Sequence, residues 1–207
     1  MATEQWLELI GAYNRHRMRL RSKKAVLLVI DMQNFFLDPR SPAFAPDGRK
    51  IIPRIRRLIR AFRRIKRPVI YTRHGHHPDR IDVGILGWWW DGMIVEGSEE
   101  SEICSELKPR RREKVIHKHR YSAFYQTDLE LILKGYQAED LVITGLLTNC
   151  CCETTARDAY MRDYRVFFLA DATAAANQEF HLASLLNLAY GFAYITTTDE
   201  VIKMLQL

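Results

Sequence analysis

Six short apolar, β-branched runs alternate with helical stretches along the chain, and that alternation leaves few folds open. AVLLVID (25–31), PVIYTR (68–73), KVIHK (114–118), LVITG (141–145), RVFFLA (165–170) and AYITT (193–197) read as strands. Their hydrophobicity is continuous rather than alternating, the mark of strands covered on both faces in a parallel sheet. Between them, 50–66, 127–135, 149–163 and 178–190 read as helices, with further helices at each end. The pattern predicts an α/β fold, a doubly wound three-layer sandwich with right-handed crossovers.

A length of 207 residues suits one well-buried domain. Residues 1–207 therefore read as a single domain, with 1–24 as an N-terminal helical extension. The start of the chain lacks the pattern of a secretory signal, and no apolar run reaches the roughly 18 residues that cross a bilayer. Cys150, Cys151 and Cys152 are consecutive and Cys104 stands apart. Neighbouring cysteines rarely bridge, and no C-x-x-C pair suggests zinc. A reduced, cytoplasmic protein with no membrane contact is expected.

The formal net charge of +6 raises the question of nucleic acid. Much of it lies in 50–66, where Ile52, Ile55, Ile59 and Phe62 recur at helical spacing, with Leu58 and Ile65 beside them. Arg54, Arg57, Arg60 and Arg64 fall largely on the other side. That is an amphipathic helix with a solvated basic face, and no aromatic residues interleave the arginines to stack on bases. No nucleic-acid partner is expected.

In open α/β sheets the ligand crevice lies beyond the carboxyl ends of the strands. There the chain places Asp31, Arg73-His74, Lys118, the segment GLLTNCCCETTARDA, and Asp171. Thr148 or Asn149 is a candidate cap for the helix carrying the cysteines, and a thiol in its first turn would feel the positive end of the dipole. Lys118 would stabilise a thiolate, a carboxylate would collect its proton, and first-turn amides would hold an oxyanion. Taken singly, each residue has an ordinary structural explanation: a buried thiol, a loop-capping aspartate, a solvated lysine.

IDMQNFFLDPRSPAF, KHRYSAFYQTDLELIL and TGLLTNCCCETTARDA resemble, in order and spacing, three signature segments of the isochorismatase-like hydrolases. The likeness runs from about Ala25 to the C-terminus. It implies a six-stranded parallel sheet and an Asp–Lys–Cys triad falling on Asp31, Lys118 and Cys151. Cys151 is chosen over its neighbours because the family pattern Thr-Asn-x-Cys-x-Glu matches Thr148, Asn149, Cys151 and Glu153. The resemblance also implies a non-proline cis peptide at Leu146–Leu147, an oxyanion hole from the amides of Leu147 and Cys151, and a homodimer or homotetramer.

Nicotinamidases of this superfamily carry an Asp-x-His metal motif after strand two, whereas this chain reads His74-Gly75-His76-His77-Pro78. The carboxylate is missing and no clear third ligand follows, so neither a metal nor a cofactor is expected. Gln33, Phe36, His74, Trp89, Arg120 and Tyr121 are candidate substrate contacts for a small molecule. Trp88 to Trp90 lie in the long irregular insertion from His74 to Arg112. The expected activity is thiol-dependent hydrolysis of a C–N bond in a small amide or ureide, through a thioester. An aspartate-driven vinyl ether hydrolase and a redox-sensing thiol protein are the alternatives.

Overall fold

The computed structural model describes residues 3–205. In chain order the strands are β1 (Ala25–Ile30), β2 (Val69–His74), β3 (Lys114–Lys118), β4 (Asp140–Leu146), β5 (Arg165–Ala174) and β6 (Tyr194–Thr196). The helices are α1 (Thr3–Ile10), α2 (Asn34–Leu37), α3 (Gly48–Arg64), α4 (Leu86–Trp89), α5 (Leu129–Gly135), α6 (Glu153–Tyr160), α7 (Gln178–Gly191) and α8 (Thr198–Leu205).

All six strands pair in parallel in the order β3-β2-β1-β4-β5-β6. Alternate residues of β1 enter two different cores. Leu27 and Val29 pack with Ile55, Leu58 and Phe62 of α3 and Val201 of α8 on one face. Val26, Leu28 and Ile30 pack with Leu133 of α5, Ala156 of α6 and Leu185 of α7 on the other. Every β1 side chain is buried, which is why the strand reads as a continuous apolar run.

The strand order reverses direction of growth at β1, so the crevice opens beyond β1 and β4, as expected of a doubly wound sheet. Gly145 sits opposite Ile30 in the β1–β4 register and has φ +115°. A Cβ there would fall 1.9 Å from the Ile30 carbonyl oxygen. Glycine alone lets the ends of these two central strands approach so closely.

Two expectations need correction. Among the described residues of the N-terminal segment, apart from a short 3-10 turn at Ser22–Lys24, helix is confined to Thr3–Ile10. Beyond it, Asn14 exchanges two hydrogen bonds with the Ile195 backbone, and the Arg21 amide donates to Asp140, so this stretch lies along the sheet edge rather than coiling. β5 also runs four residues past the predicted end, through a register shift against β4 between Ile143 and Gly145. Asp171 is therefore inside β5, bound by Arg54 at 3.3 Å and by the Thr198 amide at 2.9 Å.

Candidate functional site

Asp31, Lys118 and Cys151 meet at the carboxyl ends of β1, β3 and β4, and all three are buried. Lys118 Nζ lies 2.7 Å from Asp31 Oδ2, donates to the Arg120 carbonyl at 3.0 Å, and lies 3.4 Å from His74 Nδ1. The donor atoms of Asp31, His74 and Cys151 lie within 4.8 Å of one another. Asp31 adopts φ 45°, a left-handed backbone rare for a side-chain-bearing residue and typical of functional turns. Thr72 on β2 fixes it twice: its hydroxyl donates to Asp31 Oδ1 at 2.5 Å and accepts the Asp31 amide at 3.1 Å.

Cys151 stands in a wide turn over Thr148–Cys152 that leads into α6. The amides of Cys150 and Cys152 both donate to the Leu147 carbonyl, each at 3.2 Å, and the Leu146–Leu147 peptide is cis. No side chain caps this turn. Thr148, a predicted cap, instead places its hydroxyl 2.8 Å from His181 Nδ1 on α7.

Burial pushes the Cys151 thiol well above its ordinary range, with the Lys118 charge opposing. Burial likewise raises Cys152 strongly and Cys150 to about 11. For Lys118 burial acts to lower the pKa, but Asp31 and Cys151 outweigh it and the net direction is up. Burial, then the Lys118 charge, holds His74 far below its usual value, so that imidazole is neutral. The resting site therefore holds an ammonium–carboxylate pair beside a protonated thiol, rather than a dipole-stabilised thiolate.

A narrow cleft of about 50 Å³ opens over Cys151. Phe36, His74 and Tyr121 line it, joined by Phe35, Trp90 and Ile94, which the sequence reading did not select. Three other predicted contacts lie elsewhere. Gln33 is fully buried and ties β2 to the insertion, donating to the carbonyls of His74 and Ser101 at 2.7 and 2.8 Å. Trp89 is 65% exposed, because the short α4 turns its neighbour Trp90 inward to donate to the Tyr121 hydroxyl at 2.9 Å. Arg120 donates to the carbonyls of Asp82 and His119 and does not reach the cleft.

A metal at the position of the nicotinamidase Asp-x-His motif does not fit these residues. His74 Nδ1 faces the Lys118 ammonium at 3.4 Å, and its Nε2 is 3.0 Å from His76 Nε2. Neither nitrogen is free to bind an ion beside Cys151. Among the described residues, no helix is long and apolar enough to cross a membrane.

Residues 25–200 match the isochorismatase domain. The chain is 39% identical over 196 residues to Nicotinamidase 3 of Arabidopsis thaliana, covering 93% of this chain and 94% of that protein. It is 30% identical to a ureidoacrylate amidohydrolase, RutB, of Caulobacter segnis, over 86% of this chain and 84% of that one. The crystal structure of a cysteine hydrolase from Pseudomonas syringae pv. phaseolicola superposes with a TM-score of 0.87 at 29% identity, covering 92% of this chain and 96% of that one.

Proposed function

Because the chain belongs to the isochorismatase family of hydrolases, we propose that it cleaves the C–N bond of a small, uncharged amide with Cys151 as nucleophile, Asp31 as base and Lys118 as electrostatic partner. The observation that carries this reading is a buried carboxylate, ammonium and thiol converging beneath one apolar cleft.

A neutral thiol needs a base within reach, and Asp31 is that base. Asp31 takes the Sγ proton as sulfur attacks the carbonyl carbon, and Lys118 balances the negative charge that moves onto sulfur. The amides of Cys150 and Cys152 are already engaged by the Leu147 carbonyl, which supports the amides of Leu147 and Cys151 as oxyanion donors. The C–N bond then breaks, Asp31 returns its proton to the departing nitrogen, and a thioester remains on Cys151. Asp31 next takes a proton from water, whose oxygen attacks the thioester; the C–S bond breaks, the acid leaves, and Asp31 passes that proton to the departing sulfur to restore the thiol.

The cleft walls are Phe35, Phe36, Trp90, Ile94 and Leu147, with the neutral His74 and the Tyr121 hydroxyl as polar side chains. Among the described residues, no lysine or arginine lines it. A substrate carboxylate would lose hydration there without gaining a partner, which favours a flat, uncharged amide.

The test is ammonia release from a panel of neutral carboxamides and carboxylate-bearing ureides, comparing the native chain with Cys151→Ala. Release by the native chain alone, with a Cys151 acyl adduct in intact-mass spectra, is the expected result. Equal release by both proteins would remove Cys151 from the mechanism.

A further inference from the structure

The β1–β2 ladder runs no further than Val29 opposite Tyr71, and Asp31 leaves the strand in a left-handed backbone. Its amide takes its partner from a side chain instead. The Thr72 hydroxyl on β2 accepts the Asp31 N–H at 3.1 Å and donates its one proton to Asp31 Oδ1 at 2.5 Å. Thr72 is fully buried, and branching at Cβ restricts its χ1, so the hydroxyl is held in that bridge. The two oxygens of Asp31 are thereby made unequal. Oδ1 is occupied by the Thr72 proton. Oδ2 accepts no hydrogen bond from any described residue and faces the Lys118 ammonium at 2.7 Å.

We propose that Thr72 is a positioning residue that orients the Asp31 carboxylate, leaving Oδ2 as the oxygen that takes the Cys151 proton. The inference rests on Asp31 acting as the base, as proposed above. The χ2 torsion of an aspartate is broad and two-fold, so left to itself the carboxylate has no single orientation. Lys118 does not supply one, because an ammonium is a point charge with three rotatable donors and suits either oxygen. Thr72 brings a single proton from a fixed oxygen, and its second bond ties the same hydroxyl to the Asp31 backbone. The base is thus aligned before the thiol is attacked, and alignment of this kind is a large part of what an active site contributes to rate.

Iodoacetamide, a small uncharged amide, tests this without a known substrate. Asp31 takes the Sγ proton, sulfur bonds to the methylene carbon, and iodide leaves. Alkylation of the full chain is followed by intact mass, with Cys151→Ala defining the background from Cys104, Cys150 and Cys152. Thr72→Val keeps the branched shape without the hydroxyl and should slow the Cys151 reaction roughly 10- to 100-fold. Thr72→Ser, which keeps the hydroxyl, should recover most of that rate. Asp31→Asn should be slow as well. Circular dichroism verifies each fold, and Thr72→Ala is read in place of a Thr72→Val that does not fold. A native rate in Thr72→Val beside a slow Asp31→Asn overturns the role of Thr72 and leaves Asp31 as the base. Equal slowing in Thr72→Ser and Thr72→Val also overturns it, because packing of the methyl group would then be responsible. A native rate in Asp31→Asn overturns the assignment of the base itself, and the role of Thr72 with it.

Discussion

Lys118 Nζ and Asp31 Oδ2 lie 2.7 Å apart with both side chains wholly shielded from solvent. Each charge is tolerable in that interior only because the other is present. Removing one partner strands an uncompensated charge, at a cost of about 3–5 kcal/mol. Lys118→Met and Asp31→Asn should each destabilise the fold by that order, while the double variant should lose much less than the sum of the two. Urea unfolding of the four proteins measures the coupling directly, and additive losses would show that the pair is not a unit.

Gly145 lets β4, which leads to Cys151, close on the end of β1, which leads to Asp31. Gly145→Ala would place a methyl 1.9 Å from the Ile30 carbonyl oxygen at a residue with φ +115°. The nearest atoms are all backbone of Ile30 in the central strand β1 and cannot yield. The variant should fail to accumulate as folded protein, or unfold at far lower urea than Gly135→Ala, where no atom lies within 4 Å of the new carbon. Equal midpoints would contradict the role assigned to Gly145.

His181 gives the fold a titration of its own. Burial lowers its pKa from 6.5 to about 4. In the unfolded chain the imidazole protonates below about 6.5, whereas the folded chain resists protonation until about 4. The stabilisation is therefore complete above about 6.5 and is lost progressively as pH falls toward 4, by up to about 3 kcal/mol at roughly 1.4 kcal/mol per unit. Urea midpoints measured from pH 7.5 to 4.5 should fall, and His181→Gln should remove most of the part due to this residue. An unchanged slope in that variant would assign the acid sensitivity to other groups.

Much of this architecture was legible because buried parallel strands leave an unmistakable record. β1 and β3 lie within a residue of where their apolar runs place them, and α3 buries Ile52, Ile55, Ile59 and Phe62 as its spacing requires. Asp31 and Lys118 stand out in the sequence because each closes a strand, whereas the choice of Cys151 among three adjacent cysteines rests on the family resemblance. What escaped the sequence was local. The β4–β5 register shift carried Asp171 away from the crevice, and nothing in RVFFLADATA announces it. One helical turn decides that Trp90 rather than Trp89 faces the cleft. The sequence shows His74 and His76 two residues apart, and their ring nitrogens do meet, but the approach of Asp82 and His119 to His76 comes only from the pairing of β2 with β3 and the following loop. Arg120 looked like a substrate contact through proximity to Lys118, but its donors meet backbone carbonyls.

The apolar cleft makes its own prediction about charge. Met93 lines it and is half-buried, so a longer cationic side chain there can lay its stem along the wall and keep its head at the mouth. Met93→Arg should supply the partner that a substrate carboxylate lacks in the native cleft. A charge-assisted hydrogen bond of about 1.5–3 kcal/mol corresponds to roughly 10- to 150-fold in relative kcat/KM. The measurement is kcat/KM on a matched pair, a neutral amide and its carboxylate-bearing analogue, for the native chain and Met93→Arg. The native chain should prefer the neutral member and the variant should shift toward the acid. Should the native chain already prefer the acid, the substrate would be held by groups outside this cleft, and the reading of its walls would fall while the Cys151 chemistry stood.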